Sequence, residues 1–301
     1  MTNNHTDIEE KNKLDEMSNS SRVYALFYSF FLIPFMLAFF GAFFYFMFSF
    51  LTHEKKTPVD LLNNIQSGSA TKRWQAAFEL SNMLDEEKIL NKELFNAKLK
   101  SLFEKSKYDD PKVRAYLALA MGRTDNKDFG DILIEALDDE NSDVRLAAIK
   151  SLGMLNYNDS CENLVNIIVS SINISEILEA TISLGLIGNP KYKNILVDNL
   201  NHEEPNIRWD SAIALAKMND SAGSKIIESL LNREYYKKFP SKSDGSGLDQ
   251  YEVENCILTA VSVSSILINS DFKDELSHLS LNDDSPAVRN LALKTFNQYY
   301  K

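Results

Sequence analysis

A 13-residue pattern returns along this chain and constrains its fold more than any other feature. Its clearest copy runs from Asn141 to Gly153, NSDVRLAAIKSLG. Equivalent positions, which we call anchors, fall at residues 73, 114, 145, 177, 208, 254 and 289, so the central copies are 31 or 32 residues apart. Self-similarity at a period of about 20 to 50 residues is typical of repeat architectures. Such a chain stacks similar units instead of folding around one central core.

The residues around each anchor follow a helical period. One residue before most anchors, and three and seven residues after them, the side chain is apolar or small. In the copy at Arg145 these residues are Val144, Ala148 and Leu152. The three offsets share one face of an α-helix. Helix-start residues stand just ahead of the anchors, at Asp110-Pro111, Asp143, Pro205 and Ser285-Pro286.

A second periodic segment precedes each anchor helix, and an asparagine opens the turn into it at Asn126, Asn158 and Asn189. No stretch shows the sustained alternation of a β-strand. We therefore predict an all-α fold, an α-solenoid of about seven helical hairpins over residues 58–301. The longer intervals of 41 and 46 residues indicate extra segments, the larger an insertion at about residues 232–250.

The anchor helices resemble the second helix of HEAT repeats. The resemblance is carried by Asp143-Val144-Arg145, Ala148 and Leu152-Gly153, with good copies at 114, 208 and 289, a fair one at 73 and two that have lost the arginine. The short period is similar to that of bacterial HEAT-like repeats, which also occur in phycobilisome lyases. The resemblance implies a solenoid, and most often a scaffold that binds proteins along an extended surface.

Residues 23–51 form an uncharged apolar run. About 20 apolar residues suffice to cross a bilayer, and the apolar part of a signal peptide is shorter, roughly 7 to 15 residues. We therefore predict an uncleaved, single-pass transmembrane helix. It divides the chain into a disordered polar tail at 1–22, the helix at 23–51, a juxtamembrane juncture at 52–57 and the repeat domain at 58–301.

Charge near the apolar run bears on its orientation. Lys11, Lys13 and Arg22 precede it, and Lys55 and Lys56 follow it, with further basic residues beyond. By the positive-inside rule this favours a cytoplasmic repeat domain, and a periplasmic or extracellular domain stays open. With the bacterial type of repeat that the resemblance implies, we predict a bacterial inner (plasma) membrane. The net charge of −11 opposes binding to nucleic acid, because phosphates would be repelled.

The anchor arginines form one candidate set. They are Arg73, Arg114, Arg145, Arg208 and Arg289. If the repeats stack, these side chains line up, either as a basic stripe for an acidic partner or as a structural ladder. We predict the ladder, as the HEAT resemblance also implies, because acids of the adjoining turns, such as Asp110, Asp143, Glu204 and Asp284, stand within reach.

Aromatic and basic residues form a second candidate set, for contact with a partner. Trp74 and Trp209 each follow an anchor arginine. They are either core residues or exposed side chains that contact a partner. The insertion adds Tyr235, Tyr236, Lys237, Lys238 and Phe239. A long segment that interrupts a repeat is either functional or disordered. Both a solvated loop and a contact site are therefore open.

Catalytic residues are not indicated. His202-Glu203 resembles one His-Glu pair of deoxyhypusine hydroxylase, an iron-binding HEAT enzyme, but that family needs several such pairs. Cys161 occupies a core position, and Cys256 has no nearby histidine to activate it. No phosphate-binding glycine loop is present. We therefore predict no catalytic residue, no metal, no cofactor, no small-molecule substrate and no enzymatic activity.

The sequence thus predicts a membrane-anchored scaffold or adaptor. Its partners would be membrane-associated proteins, for example in a transport or envelope assembly. One alternative is a HEAT-repeat enzyme, either hydroxylase-like with a metal or lyase-like. Another is a regulatory subunit that acts through its transmembrane helix.

Overall fold

A computed structural model describes residues 27–51, 56–84, 89, 91–239 and 248–301 of the chain. The chain divides into two compact units, Met1–Lys56 and Thr57–Lys301, each with its own architecture. The predicted tail at 1–22 and residues 52–55 of the predicted juncture lie outside the described ranges.

The described part of the first unit is one apolar helix. A π-helical turn, Tyr28–Leu32, leads into helix α1, Ile33–Leu51. The span Phe30–Phe48 has 19 residues and a mean hydropathy of 2.1, and none of it is buried. This N-terminal helix is therefore long and apolar enough to cross a bilayer.

Seven helical hairpins make up the described part of the second unit, which confirms the predicted all-α solenoid. We number them repeats 1 to 7; in each, a first helix precedes the second helix that carries the anchor. The pairs are α2 (Pro58–Ser67) and α3 (Ala70–Met83), α4 (Lys92–Lys105) and α5 (Pro111–Gly122), α6 (Gly130–Glu135) and α7 (Ser142–Met154), α8 (Cys161–Ser170) and α9 (Ile174–Ile187), α10 (Lys193–Asn199) and α11 (Pro205–Lys217), α12 (Ser224–Leu231) and α13 (Gln250–Leu267), and α14 (Lys273–Asn282) and α15 (Pro286–Tyr299). No β-strand occurs in the described ranges.

Side-chain caps determine where the second helices begin. Asn141 Oδ1 accepts a hydrogen bond of 2.9 Å from the backbone N–H of Asp143, and Asp110 Oδ1 accepts one of 3.0 Å from Lys112. Pro111 occupies the first turn of α5, where its missing N–H needs no partner. These caps satisfy donors that have no acceptor inside the helix. The short polar turns between helices are therefore set locally by the sequence.

Consecutive second helices pack directly against each other through small residues. A Cβ placed on Gly153 of α7 would lie 2.5 Å from Ser183 Oγ of α9. The Ser183 hydroxyl donates to the Ile149 carbonyl of α7 at 2.9 Å, and Ser151 of α7 donates to Ala118 of α5 at 2.8 Å. These buried contacts hold α5, α7 and α9 side by side in a fixed register.

The buried apolar side chains form two clusters that meet in α11. The first cluster runs from Leu61 in α2 to Leu215 in α11, and the second runs from Trp209 in α11 to Tyr300. Helix α11 therefore contributes one side to each cluster, for example Ile207 to the first and Trp209 to the second.

The insertion between α12 and α13 is partly ordered against the repeats. Residues Arg233–Lys238 form a 3-10 helix that begins at the Asn232 cap. Residues 240–247 lie outside the described ranges. Asp249 and Glu252 form a capping box that starts α13. A described part of the insertion is thus a structured segment, not a solvated loop.

Candidate functional site

The exposed side of the second helices is the candidate functional surface. Each residue rotates an α-helix by about 100°, so positions one, two, five and nine after the anchor project opposite to the core positions. We call this surface the second-helix face. Its exposed or partly exposed apolar members in repeats 1 to 5 include Trp74, Phe78, Tyr116, Leu119, Leu146, Leu178, Ile182 and Ile213, whereas Trp209, at the position equivalent to Trp74, is buried.

Apolar side chains touch across repeats on this face. Phe78 of α3 is 47% exposed and lies edge-on to Tyr116 of α5, with ring centroids 5.3 Å apart. Leu186 of α9 is 45% exposed at the far end of the same face. Exposure of single apolar residues is ordinary, but a contiguous stripe of them is not.

Two hollows lie along the second-helix face. The first has a volume of about 450 Å³ and is lined by side chains of α5, α7 and α9, among them Lys112, Tyr116 and Lys150. The second, of about 220 Å³, lies between α9, α11 and α13 and is lined by Asp210 and Cys256, among others. The face therefore combines an apolar stripe with a few charged groups, which is typical of binding surfaces.

Two carboxyl groups on this face are poorly solvated. Burial raises the pKa of Glu179 on α9, and nearby Lys150 opposes the shift. Burial, and then the neighbouring charge of Glu179, raise the pKa of Asp210 on α11 to about 6, against the opposing effect of Lys217. Neither carboxyl group accepts a hydrogen bond from a described residue. Both groups are thus partly desolvated, and among the described residues the charges of Lys150 and Lys217 offset this without a hydrogen bond.

Cys256 stands two residues after the anchor of repeat 6, the position that Glu179 and Asp210 occupy in repeats 4 and 5. Burial, and then the charges of Asp210 and Glu252, raise the pKa of its thiol to about 11. The thiol is therefore protonated at neutral pH, and a thiolate nucleophile is disfavoured here. Cys161 is buried near the start of α8, and burial raises the pKa of its thiol as well.

A larger cleft, of about 800 Å³, opens between repeats 2 and 3 beside the turns that precede the second helices. Several of its polar groups already have partners inside the chain. Arg114 pairs with Asp139, and Asp131 accepts a 2.7 Å hydrogen bond from the Tyr157 hydroxyl. We therefore regard this cleft as a by-product of inter-repeat pairing and the second-helix face as the stronger site.

The first three anchor arginines link neighbouring repeats. Arg73, Arg114 and Arg145 each lie beside a carboxylate of the following repeat, at Asp109, Asp139 and Glu176 respectively. Arg114 Nε donates to Asp139 Oδ2 at 2.7 Å, and Arg114 Nη1 donates to the Phe103 carbonyl at 2.6 Å. The guanidinium also stacks on the Phe103 ring, 4.0 Å from its centroid. These arginines are therefore occupied within the solenoid.

The last two anchor arginines contact backbone carbonyls. Arg208 Nη1 donates to the carbonyls of His202 and Glu203 at 2.7 and 2.8 Å, and Arg289 donates to those of the turn ahead of α15. The sequence-based choice of acid partners is wrong: among the described residues, no anchor arginine pairs with the carboxylates of Asp110, Asp143, Glu204 or Asp284. Asp110 and Glu204 cap helices instead.

Arg233, in the insertion, makes a link that sequence reasoning missed. Its Nε and Nη2 donate to Asp283 Oδ2 and Oδ1 at 2.7 and 2.8 Å, and the Asp283 side chain is only 1% exposed. Asp283 stands six residues before the anchor Arg289, as Asp139 stands six before Arg145. Repeat 6 has Glu254 at its anchor, so Arg233 takes the place of the missing arginine.

The aromatic residues proposed as partner contacts separate into two groups. Trp209 is 4% exposed and Tyr236 is 5% exposed, and both are internal packing residues, which corrects their assignment as contacts. The rings of Tyr235, Tyr236 and Phe239 lie 5.0 to 6.1 Å from that of Trp209. Trp74 stays partly exposed on the second-helix face.

Other candidate contacts of the insertion, Lys237 and Lys238, remain exposed, and Lys237 pairs with neighbouring Glu234. His202 accepts a hydrogen bond of 3.0 Å at Nδ1 from the backbone N–H of Glu204, so it belongs to the turn before α11. No group of three or more His, Cys, Asp or Glu able to hold a metal occurs among the described residues.

Comparisons with known proteins agree on the repeat type. Residues 99–173 match the family described as HEAT repeats. The complex of CpcE and CpcF of phycocyanin lyase from Nostoc sp. PCC7120 contains a chain of similar fold, with a TM-score of 0.56 and 17% identity; the match covers 83% of this chain and 90% of that one. This chain carries HEAT-like repeats. Among curated proteins, none matches its sequence.

Two further solved structures contain similar helical repeats at lower scores. Human deoxyhypusine hydroxylase bound to glycerol matches with a TM-score of 0.34 and 13% identity over 80% of this chain and 84% of that one. An engineered protein matches with a TM-score of 0.40 and 14% identity over 80% and 95%. Neither score supports an inference about function.

The prediction that this chain is not an enzyme is contradicted by the lyase match. HEAT-like repeats of the same fold, over most of both chains, occur in a lyase complex. The HEAT-like fold therefore gives no ground for a non-enzymatic assignment.

Proposed function

We propose that the HEAT-like repeats bind a partner protein through the second-helix face. The observation that supports this most is the continuity of its apolar stripe, which crosses five successive second helices from α3 to α11 and stays partly exposed. Contiguous exposed apolar surface marks interaction sites. The partly buried carboxyl groups of Glu179 and Asp210 would give such a site specificity, since charge in an apolar surface discriminates between partners.

A photo-crosslinking amino acid tests this proposal. Introduced in place of Leu146 or Ile213 on the second-helix face, it should form a covalent adduct with one defined protein in intact native cells. The matched control is Val169, which is 71% exposed but lies on the first helix α8. Adducts from the control position alone, or none from the face, would exclude the second-helix face as the binding surface.

A lyase-like activity on the bound partner is the second candidate function. The observation that favours it is the fold shared with a chain of the phycocyanin lyase complex. Asp210 is the residue to test, because a carboxyl group with a pKa of about 6 can donate or accept a proton near neutral pH. The captured partner should gain or lose mass on incubation with the full chain, and Asp210→Asn should abolish that change. An unchanged partner mass would reject this candidate.

Membrane anchoring is the remaining part of the proposal. The uncharged run at 23–51 and the length of α1 support a transmembrane helix, and the basic residues after it support a cytoplasmic repeat domain. The similar fold in a complex from Nostoc supports a bacterial inner membrane. A partner in a transport or envelope assembly of the same membrane would then be within reach. Alkaline extraction should leave the full chain in the membrane fraction, and the double variant Phe40→Arg/Phe44→Arg should release it.

Orientation has its own test. Lys237 is exposed, so the Lys237→Cys variant offers a reactive thiol on the repeat domain. An impermeant thiol reagent added to intact cells should not label it, whereas labelling should occur after lysis. Wild-type protein, with its buried Cys161 and half-buried Cys256, sets the background. Labelling of intact cells would show that the repeat domain lies on the outer side of the membrane.

A further inference from the structure

The spacing of the second helices limits what can lie along the second-helix face. Helices packed side by side have axes about 8–10 Å apart, and the contact between Gly153 and Ser183 puts α7 and α9 at close approach. Leu119, Ile182 and Ile213 occupy the same position, five residues after the anchor, in repeats 2, 4 and 5. Repeat 3 has Lys150 at this position and Leu146 four residues earlier, so each of these repeats places an apolar side chain on the face, about every 8–10 Å along the stack.

This interval matches the repeat of an amphipathic helix. An α-helix rises 1.5 Å per residue, so the upper end of this range, about 10 Å, corresponds to roughly seven residues, one heptad. Apolar residues at heptad spacing form a seam along one side of a helix. A helix laid across the second helices would then place one part of its seam over each repeat.

An extended peptide would fit the same stripe poorly. The second helices satisfy their own backbone N–H and C=O groups, so the stripe offers no free backbone edge. Leu119, Leu146, Leu178, Ile182 and Ile213 have no hydrogen-bonding groups in their side chains. An extended backbone buried on them would lose its hydrogen bonds to water without replacement, whereas a helix keeps its own.

Charge adds a second requirement. Glu179 of α9 and Asp210 of α11 stand at the same position, two residues after their anchors, on adjacent helices. Neither accepts a hydrogen bond from a described residue, and both are partly buried. Lys150 and Lys217 lie on the same face and act on them only through space. Covering both carboxylates with a purely apolar partner would be unfavourable, and a basic side chain would offset that desolvation.

From these observations we infer that the second-helix face binds an amphipathic α-helix of a partner protein, with apolar residues at heptad spacing and a basic residue over Glu179 and Asp210. The inference rests on the proposed function and specifies its partner. The helix runs along the stack, across α5 to α11, and its polar side faces solvent.

Synthetic peptides of about 21 residues test the inference directly. The probe has leucine at the two seam positions of three heptads, a central arginine next to the seam and a fluorescent label. One control peptide carries glutamate in place of the arginine, and another keeps the composition but scrambles the seam. Fluorescence anisotropy measures binding to the full chain in nanodiscs of zwitterionic lipid, and empty nanodiscs set the background.

The arginine peptide should bind at least tenfold more tightly than the glutamate peptide, and the scrambled peptide should not bind. The double variant Glu179→Gln/Asp210→Asn should lose the preference for arginine. Leu146→Asp should abolish binding, and Leu281→Asp, on the exposed side of the first helix α14, should leave it unchanged. Thermal unfolding verifies that each variant folds, and Leu186→Asp replaces Leu146→Asp if the latter does not.

Equal binding of the scrambled peptide would show that the face does not recognise an amphipathic helix. Equal binding of the arginine and glutamate peptides would show that Glu179 and Asp210 do not select a basic residue. Failure of this inference is distinguishable from failure of the proposed function. If Leu146 and Ile213 give photo-adducts but no heptad peptide binds, the face binds a protein of another shape. If neither adducts nor peptide binding are found, both proposals fail.

Discussion

Repeats 1 to 4, residues 58–187, and repeats 5 to 7, residues 193–299, use the same architecture with different internal links. In the first region α5, α7 and α9 approach the next second helix through glycine, as Gly153 does against Ser183, and anchor arginines reach the next repeat. In the second region Ala216 stands where Gly153 stands in α7. Glu254 replaces an anchor arginine there, and the insertion supplies Arg233.

The difference shows which part of a repeat contact is constrained. Asp139 and Asp283 hold equivalent positions and accept from a guanidinium at the same Nε–Oδ2 distance, 2.7 Å. The donor is Arg114 of a second helix in one case and Arg233 of an insertion in the other. The acceptor carboxylate thus keeps its position in the repeat, whereas the donor arginine can come from any segment that reaches it.

Replacing the tryptophans should separate the two regions by the largest effect. Trp209→Ala should lower the free energy of unfolding by about 4 kcal/mol, because it empties the buried site packed by Tyr235, Tyr236 and Phe239. Trp74→Ala, at the same position of repeat 1, should cost about 1 kcal/mol, since Trp74 is only partly buried. Urea unfolding followed by circular dichroism measures both. Equal losses of unfolding free energy would show that the two tryptophan sites contribute alike to the stability of the two regions.

The two arginine links should prove equivalent when each is removed. Arg114→Ala and Arg233→Ala should each cost about 3 kcal/mol, because each leaves a largely buried carboxylate, at most 14% exposed, without its guanidinium partner. Lys237→Ala is the control, at less than about 0.5 kcal/mol, since its ion pair is exposed. A negligible loss for Arg233→Ala alone would show that the insertion does not replace the ladder.

Acid titration should sharpen the same point. Burial raises the pKa of Asp283, but the hydrogen bonds from Arg233 and from the backbone N–H of Ser285, together with the charges of Arg233 and Arg289, leave that pKa below its ordinary value of 3.8. The stabilisation is therefore present above pH 3.8 and is lost as the pH falls through the folded-state pKa. Arg233→Ala should lack this acid-dependent loss in unfolding experiments between pH 5 and pH 2. If the free energy of unfolding changed with pH equally in wild type and variant, the Arg233–Asp283 pair would not be the source of the acid-dependent loss.

The glycine contact should matter only in the first region. Gly153→Ala should cost about 2 kcal/mol, because the added Cβ overlaps Ser183 of the neighbouring helix. Ala216→Gly should cost about 1 kcal/mol, through loss of helix propensity. Calorimetric unfolding measures both changes. A neutral Gly153→Ala would mean that α7 and α9 can move apart freely.

The smallest effect should be a gain in stability at the junction between the regions. Asp210→Asn should stabilise the chain by about 1 kcal/mol at pH 7, because the pKa of Asp210 is raised to about 6 by burial and then by Glu179, against the effect of Lys217. The folded wild type binds the extra proton between pH 6 and pH 3.8, so its stability rises as the pH falls through this window. The gain should accordingly shrink by pH 4. A gain that is independent of pH would contradict this origin.

The sequence predicted the hairpins because their period is local. Offsets such as Val144, Ala148 and Leu152 reflect one face of one helix, and caps such as Asp110 stand within two residues of the N–H that they bind. The same reasoning could place the anchor arginines, because the stack aligns equivalent residues. Fold class and helix starts therefore followed from short-range patterns.

The pairing partners and the candidate site did not follow from the sequence. Arg233 lies outside the repeat register, so no periodic pattern connects it to Asp283, 50 residues later. Tyr236 looked like a solvated aromatic residue because only the folded chain brings it onto Trp209. The altered pKa of Asp210 depends on burial between adjacent repeats. A spacing of 31 or 32 residues was the only available signal, since it places Glu179 and Asp210 at one position.

The two tryptophans give the chain a built-in optical readout. Trp74 lies partly exposed in repeat 1, and Trp209 is buried at the junction, so their emission maxima should differ in wavelength. No other tryptophan is present in the sequence. Gradual denaturation should therefore report the unfolding of repeat 1 and of the junction in repeat 5 separately.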